Sequence, residues 1–204
     1  MTFEKIFEIN HIQVELEDFL EVYVPINLAY WKLYREEKID KNSLRFARLK
    51  DAFDALGIQI STAQIYKLSE EYINYLSTFN HLFEGTIQIL DYLQPNYTLH
   101  IITNGFKEVQ HGKLNKSGIA HYFETVTNSE LAGVKKPNPK IFKLALHMAK
   151  ASKAESLMIG DNLEADILGA VNFGIDALCF NYHKDSIPRH IESIDKLVEL
   201  KRYL

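Results

Sequence analysis

The 204 residues hold one cysteine, five prolines and nine glycines. A single thiol, Cys179, closes no internal disulfide, and its place in the apolar run Ile175-Asp176-Ala177-Leu178-Cys179-Phe180 reads as a buried, inert side chain in a reducing compartment. So little proline and glycine excludes collagen-like and low-complexity chains. An excess of positive charge is missing too. Lys and Arg number 23 against 27 Asp and Glu, a formal charge of -4, which removes a nucleic-acid polymer from the expected partners and makes any phosphate site a local one. No apolar run is long enough to span a membrane. The opening Met1-Thr2-Phe3-Glu4-Lys5-Ile6-Phe7-Glu8 also lacks the basic end and apolar stretch of a signal peptide, so the expectation is a cytoplasmic protein without a membrane partner. The eight histidines show no close zinc-ligand spacing.

What is present is 47% hydrophobic residues, ample for a core, in two differently patterned halves. Up to about residue 80 the apolar positions recur every three or four residues. Leu16, Phe19, Leu20, Tyr23, Ile26, Tyr30, Trp31 and Tyr34 form one stripe; Leu44, Leu49, Phe53 and Leu56 a second; Ile65, Leu68, Tyr72, Tyr75 and Leu76 a third. Asp40-Lys41-Asn42-Ser43 precedes the second stripe, Gly57 ends it, and Ser61-Thr62 opens the third, which is helix punctuation. Residues 1–80 therefore read as a helical bundle. Residues 81–204 alternate instead: a helix over 86–93, a strand over 98–102, another helix after Thr103-Asn104-Gly105, a short strand near 124–126, a helix over 139–150, a strand over 156–159, a helix over 164–173 and a strand over 176–180. Such alternation with short links predicts a parallel sheet covered on both faces, with ligands at the carboxyl ends of its strands.

Three polar clusters fall at those ends. Thr103-Asn104-Gly105 follows an apolar strand and precedes a helix, so a hydroxyl and backbone N–H groups converge as an anion requires; a plain Asn-Gly turn is the competing reading. Gly133-Val134-Lys135-Lys136-Pro137-Asn138-Pro139 sets Lys136 in extended backbone just before a helix. There it either fixes an ammonium against a phosphoryl oxygen or is one of a solvated pair. Gly160-Asp161-Asn162-Leu163-Glu164-Ala165-Asp166 puts Asp161 at a strand tip and Asp166 in the first turns of the next helix. The two carboxylates suit a hard cation such as Mg²⁺; helix capping by Asp161 is the alternative.

Taken in this order, the three clusters resemble the haloacid dehalogenase-like (HAD) hydrolase superfamily, over essentially the whole chain. Leu82-Phe83-Glu84-Gly85, Ile101-Ile102-Thr103-Asn104-Gly105-Phe106 and Gly160-Asp161-Asn162-Leu163-Glu164-Ala165-Asp166 are most similar to its pyrimidine 5'-nucleotidase branch. The resemblance implies a three-layer Rossmann-like α/β core over residues 81–204 with a helical cap over 1–80, and a Mg²⁺-dependent phosphatase acting on a small phosphorylated metabolite, a nucleoside 5'-monophosphate above all. It implies that Thr103 and the Asn104 N–H hold the phosphoryl group, with Gly105 completing that loop, and that Lys136 steadies nucleophile and phosphate. Asp161 is then a metal ligand, and Asp166 supports the metal shell or Lys136. Tyr23, Tyr30, Trp31 and Tyr34 in the cap either stack a nucleobase or pack the bundle.

One part of that pattern is absent. The superfamily motif opens with a strand ending in Asp-x-Asp, whose first carboxylate is the nucleophile. The acids before Thr103 with that side chain are Asp18, Asp40, Asp51, Asp54 and Asp91, none spaced by two. The expectation is that the chain opens inside the first cap helix, short of the motif by roughly two dozen residues, about a strand and its connection. A central strand would then be missing between those ending at Thr103 and Gly160, and the chain as it stands would be inactive by the covalent route. A non-catalytic phosphometabolite-binding or interaction protein and a haloacid dehalogenase are the alternatives.

Overall fold

A computed structural model describes residues 2–204, which divide into two compact units, one ending at Asn80 and the other spanning 81–204. The first is all helical: α1 (Thr2–Ile9), α2 (Leu16–Arg35), α3 (Lys41–Ala55) and α4 (Thr62–Leu76). The three stripes point inward. Phe3, Phe7, Phe19, Tyr23, Leu49, Phe53, Ile65 and Leu68 form one buried cluster, joined by edge-to-face rings such as Phe7 on Phe19 at 4.9 Å. Each fully buried aromatic or aliphatic side chain there contributes about 1.5–3 kcal/mol. The ends are set by the expected residues. Asp40 accepts from the Ser43 N–H at 2.8 Å, Ser61 and Gln64 make a reciprocal capping box, and Gly57 follows α3 at φ +69°, where a side chain would be strained.

The second unit begins with α5 (Thr86–Leu93) and continues through β1 (Leu99–Thr103), α6 (Lys107–Lys116), β2 (Phe123–Asn128), α7 (Ser129–Ala132), α8 (Pro139–Ala149), β3 (Leu157–Gly160), a π-helical turn Leu163–Leu168, α9 (Gly169–Phe173) and β4 (Asp176–Phe180). A further two-residue strand, β5 (Ser193–Ile194), lies beyond the last one expected. Every pairing is parallel. One face carries Ile89, Leu93, Leu178, Phe180, Ile194 and Leu200 with Leu99 and Ile159 against them. The other carries Ile141, Phe142, Ala170 and Ile175 with Ile102 and Met158. This is the three-layer α/β arrangement.

The sheet is in two pieces. β1 pairs only with β2, and β3, β4 and β5 form a separate ladder, so among the described residues no strand joins β1 to β3. Yet β1 and β3 share both apolar clusters, Leu99 with Ile159 on one face and Ile102 with Met158 on the other. Burial follows the break. All five β1 residues are only half-buried and Leu157 on β3 is 36% exposed, whereas Cys179 on β4, paired on one side with β3 and on the other with β5, is fully enclosed. Central strands of such sheets are covered on both faces and both edges. The gap expected between the strands ending at Thr103 and Gly160 is thus present, and the sheet has not closed over it.

Candidate active site

Lys136 is the hub. Asn104 grips its backbone on both sides: the Lys136 N–H donates to Asn104 Oδ1 at 2.7 Å, and Asn104 Nδ2 donates to the Lys136 carbonyl at 2.9 Å. That pair of hydrogen bonds ties the loop before α8 to the end of β1. The peptide bond to Pro137 is cis. Only 6% exposed, the Lys136 side chain sends Nζ to the Ile102 carbonyl at 2.7 Å and to Asp166 Oδ1 at 2.6 Å. An ammonium has three donors, and these contacts use two.

Asp166 reaches Lys136 because the chain is wound as a π turn. Asn162 Oδ1 accepts from the Ala165 N–H at 2.7 Å, and its carbonyl takes the N–H groups of Asp166 and Ile167 at 2.9 and 3.3 Å. Such wider turns recur at functional sites. Asp166 Oδ2 in turn accepts from the Asn162 N–H at 3.2 Å, so both of its oxygens are engaged by the protein. Gly160 makes room for it. A Cβ at that position would lie 2.5 Å from Asp166 Oδ2 and 2.6 Å from its Cβ.

The capping residue is therefore Asn162, and the alternative in which Asp161 caps the turn is not what the chain does. Asp161 keeps its carboxylate at the tip of β3, 56% exposed, with His183 Nε2 at 3.4 Å. Burial pushes the Cys179 thiol up, and Asp161, Asp166 and Asp185 push it further; Cys179 is inert and registers negative potential at this end of the sheet. No three His, Cys, Asp or Glu side chains gather as a metal cluster among the described residues. One exposed carboxylate at a strand tip fits a cation that completes its shell with water and substrate phosphate, which is how Mg²⁺ is usually held.

Thr103 closes β1. Its Oγ1 accepts from the Gly105 N–H at 2.9 Å, so the hydroxyl proton points elsewhere and remains a donor. Ser129 Oγ donates to the Asn104 carbonyl at 3.3 Å and fastens the same loop to α7. Asn104, Lys136 and Asp166 are thus one bonded group, and Thr103 and Gly105 flank Asn104 with a hydrogen bond of their own. Asp161 stands one residue beyond Gly160, against which Asp166 packs.

In the helical unit the four aromatics named above have partners of their own. Tyr23 sits inside the helical core beside Phe3 and Phe19, its hydroxyl pushed well up by burial, with Tyr72 adding to the rise and Arg48 opposing it. Tyr34 is buried with Trp31 edge-on to it at 5.7 Å. Tyr30 donates to Asp51 at 2.5 Å. Two features lie outside the sequence expectation. The side-chain clamp by Asn104 has no signal in spacing alone. Tyr182 and His183 do have one, since they follow a strand at its carboxyl end.

The fold and this group define a doubly wound α/β protein that gathers a hydroxyl, a buried ammonium and carboxylates at its strand tips. The chain belongs to the haloacid dehalogenase-like hydrolase family, whose model matches residues 25–180. It is 32% identical over 192 residues to the pyrimidine 5'-nucleotidase YjjG of Escherichia coli, covering 92% of this chain and 83% of that protein. With the pyrimidine 5'-nucleotidase PynA of Streptococcus pneumoniae it shares 34% over 181 residues, 88% of this chain and 73% of the other. Among solved structures, the magnesium-bound HAD-hydrolase YfnB of Bacillus subtilis matches with a TM-score of 0.88 at 26% identity, over 100% of this chain and 89% of that one. No helix among the described residues is long and apolar enough to cross a membrane.

Proposed function

We propose that residues 81–204 form the phosphate-handling core of a Mg²⁺-dependent phosphate monoester hydrolase acting on nucleoside 5'-monophosphates, with residues 1–80 as its cap. The observation that carries this reading is Lys136, a buried ammonium with a donor to spare, held on the carbonyl of Ile102, the residue before Thr103. A loose phosphoryl transition state needs positioning and charge neutralisation above all, and this ammonium and the Thr103 hydroxyl supply both. Thr103 donates to one phosphoryl oxygen and Lys136 to another, while Asp166 fixes the ammonium and Asn104 the backbone that carries it. The Asp161 carboxylate would hold Mg²⁺, whose charge offsets that of the phosphoryl oxygens. The nucleotide preference is supported by YjjG and PynA, both pyrimidine 5'-nucleotidases.

None of these residues is a nucleophile for the covalent route. Turnover requires a carboxylate presented in the gap between β1 and β3, beside Lys136. Residues 2–204 by themselves bind phosphate without hydrolysing its esters. Calorimetric titration of the 204-residue chain with inorganic phosphate tests the binding half: Mg²⁺-dependent uptake, weakened at least tenfold by Thr103→Val, with the Mg²⁺ dependence lost in Asp161→Asn. Absence of any phosphate binding by the wild-type chain discards the reading.

A further inference from the structure

Within the α/β unit, two exposed aromatic rings meet beside the loop that reaches the strand-tip carboxylate. Tyr182, 51% exposed, stands two residues past the end of β4, and the adjacent His183 reaches Asp161. Behind Tyr182 is Phe83, 47% exposed, with ring centroids 4.4 Å apart. Phe83 rests edge-on against the buried Phe180 at 5.3 Å. The rings are rooted in the core at one end and open to solvent at the other.

Their loop is built to hold position. Asn181 Nδ2 donates to the Asp185 carbonyl at 3.0 Å, and the Asp185 N–H donates back to Asn181 Oδ1 at 2.9 Å, closing the five-residue turn that carries Tyr182. The Asn181 N–H is fixed to the Ile194 carbonyl at 2.8 Å and the Tyr182 N–H to the Phe180 carbonyl at 2.8 Å. On the segment leading into α5, Thr86 donates from both N–H and hydroxyl to the Phe83 carbonyl, at 3.1 and 2.7 Å. Two exposed aromatic side chains on separately braced segments cost little entropy to present, which is how stacking platforms are preorganised.

We propose that Tyr182, backed by Phe83, stacks the aromatic base of the substrate and so makes the site select nucleoside monophosphates over plain sugar phosphates. This rests on the phosphate-monoester reading above. Phosphate held at Thr103 and Lys136 with a cation at Asp161 leaves the rest of the ester to extend along the strand tips, and Tyr182 is the exposed ring on the adjoining strand. Stacking tolerates any base, so the platform selects for the presence of a base and leaves its identity to other groups.

Calorimetric titration of the 204-residue chain in Mg²⁺ with uridine 5'-monophosphate and, separately, with ribose 5-phosphate tests this. The expected result is tighter binding of the nucleotide. Tyr182→Ala weakens the nucleotide roughly 5- to 150-fold, the range of aromatic–base stacking, and leaves ribose 5-phosphate unchanged; Tyr182→Phe restores the wild-type value. Equal binding of the two ligands by the wild type, or an equal loss of both in Tyr182→Ala, overturns the platform while leaving the phosphate site standing. Binding of neither ligand removes the phosphate site and the platform with it.

Discussion

The Lys136–Asp166 pair sets the terms at the scale of single residues. Both side chains are nearly enclosed, so each is a liability without the other: removing one partner of a buried pair costs about 3–5 kcal/mol, while replacing both by apolar groups is often neutral. Asp166→Asn is accordingly expected to destabilise the α/β unit by that amount in urea denaturation, and Lys136→Met with Asp166→Leu to recover most of it. A double-mutant cycle showing additive losses would mean that the two groups are not coupled. In the helical unit, Tyr30 gives a pH signature. Burial first, then the hydrogen bond to Asp51 and that carboxylate's charge, push its hydroxyl up to about 12. Because the folded state keeps this proton where the unfolded state loses it, the contribution is complete below pH 10 and disappears as pH rises towards 12. Tyr30→Phe should flatten that part of the alkaline loss, measured by thermal melting between pH 9 and 12. The three polar clusters were legible in sequence as residue types and order at strand ends. What spacing left open was which acid does what: only the π turn shows that Asn162 is the cap, Asp166 the partner of Lys136 and Asp161 the exposed carboxylate.

At the scale of elements, two devices bear on the account. Gly160 ends β3 because Asp166 occupies the space a Cβ would need, down to 2.5 Å from its Oδ2. Gly160→Ala should therefore cost about 1–3 kcal/mol and weaken phosphate binding by displacing Asp166 from Lys136, read by melting and titration together. The Ser61–Gln64 capping box starts α4 in the helical unit. Ser61→Ala should cost about 1 kcal/mol of stability and leave phosphate affinity unchanged. Helix ends such as Asp40, Gly57 and Ser61 were readable because capping is local chemistry, and β4 was readable because an apolar run bounded by polar residues has few other fates. β5 and the π turn were not, since a two-residue strand exists only through its partner and a wider turn only through the side chains it aligns.

At the scale of the molecule, the broken sheet is the dominant fact. Its two ladders are held by shared apolar faces and by Lys136, which spans from the Ile102 carbonyl to Asp166 beside β3. Amide hydrogens of β1 and β3 should exchange faster than those of the enclosed β4; equal protection across the three strands would show the gap closed in solution. The gap could be anticipated from sequence through the missing Asp-x-Asp, whereas the survival of both half-sheets around it could not, because that depends on how much apolar surface the flanking helices cover. The same gap carries the proposed function, since it adjoins the ammonium proposed to steady a nucleophile. The decisive measurement is phosphate release in Mg²⁺ from a panel of nucleoside 5'-monophosphates and sugar phosphates, comparing residues 1–204 with the same chain preceded by an apolar strand ending in Asp-x-Asp. The account predicts release by the extended chain alone, dependent on Mg²⁺ and abolished when the first aspartate of the added strand becomes asparagine. Absence of Mg²⁺-dependent release from every substrate by the extended chain would contradict it.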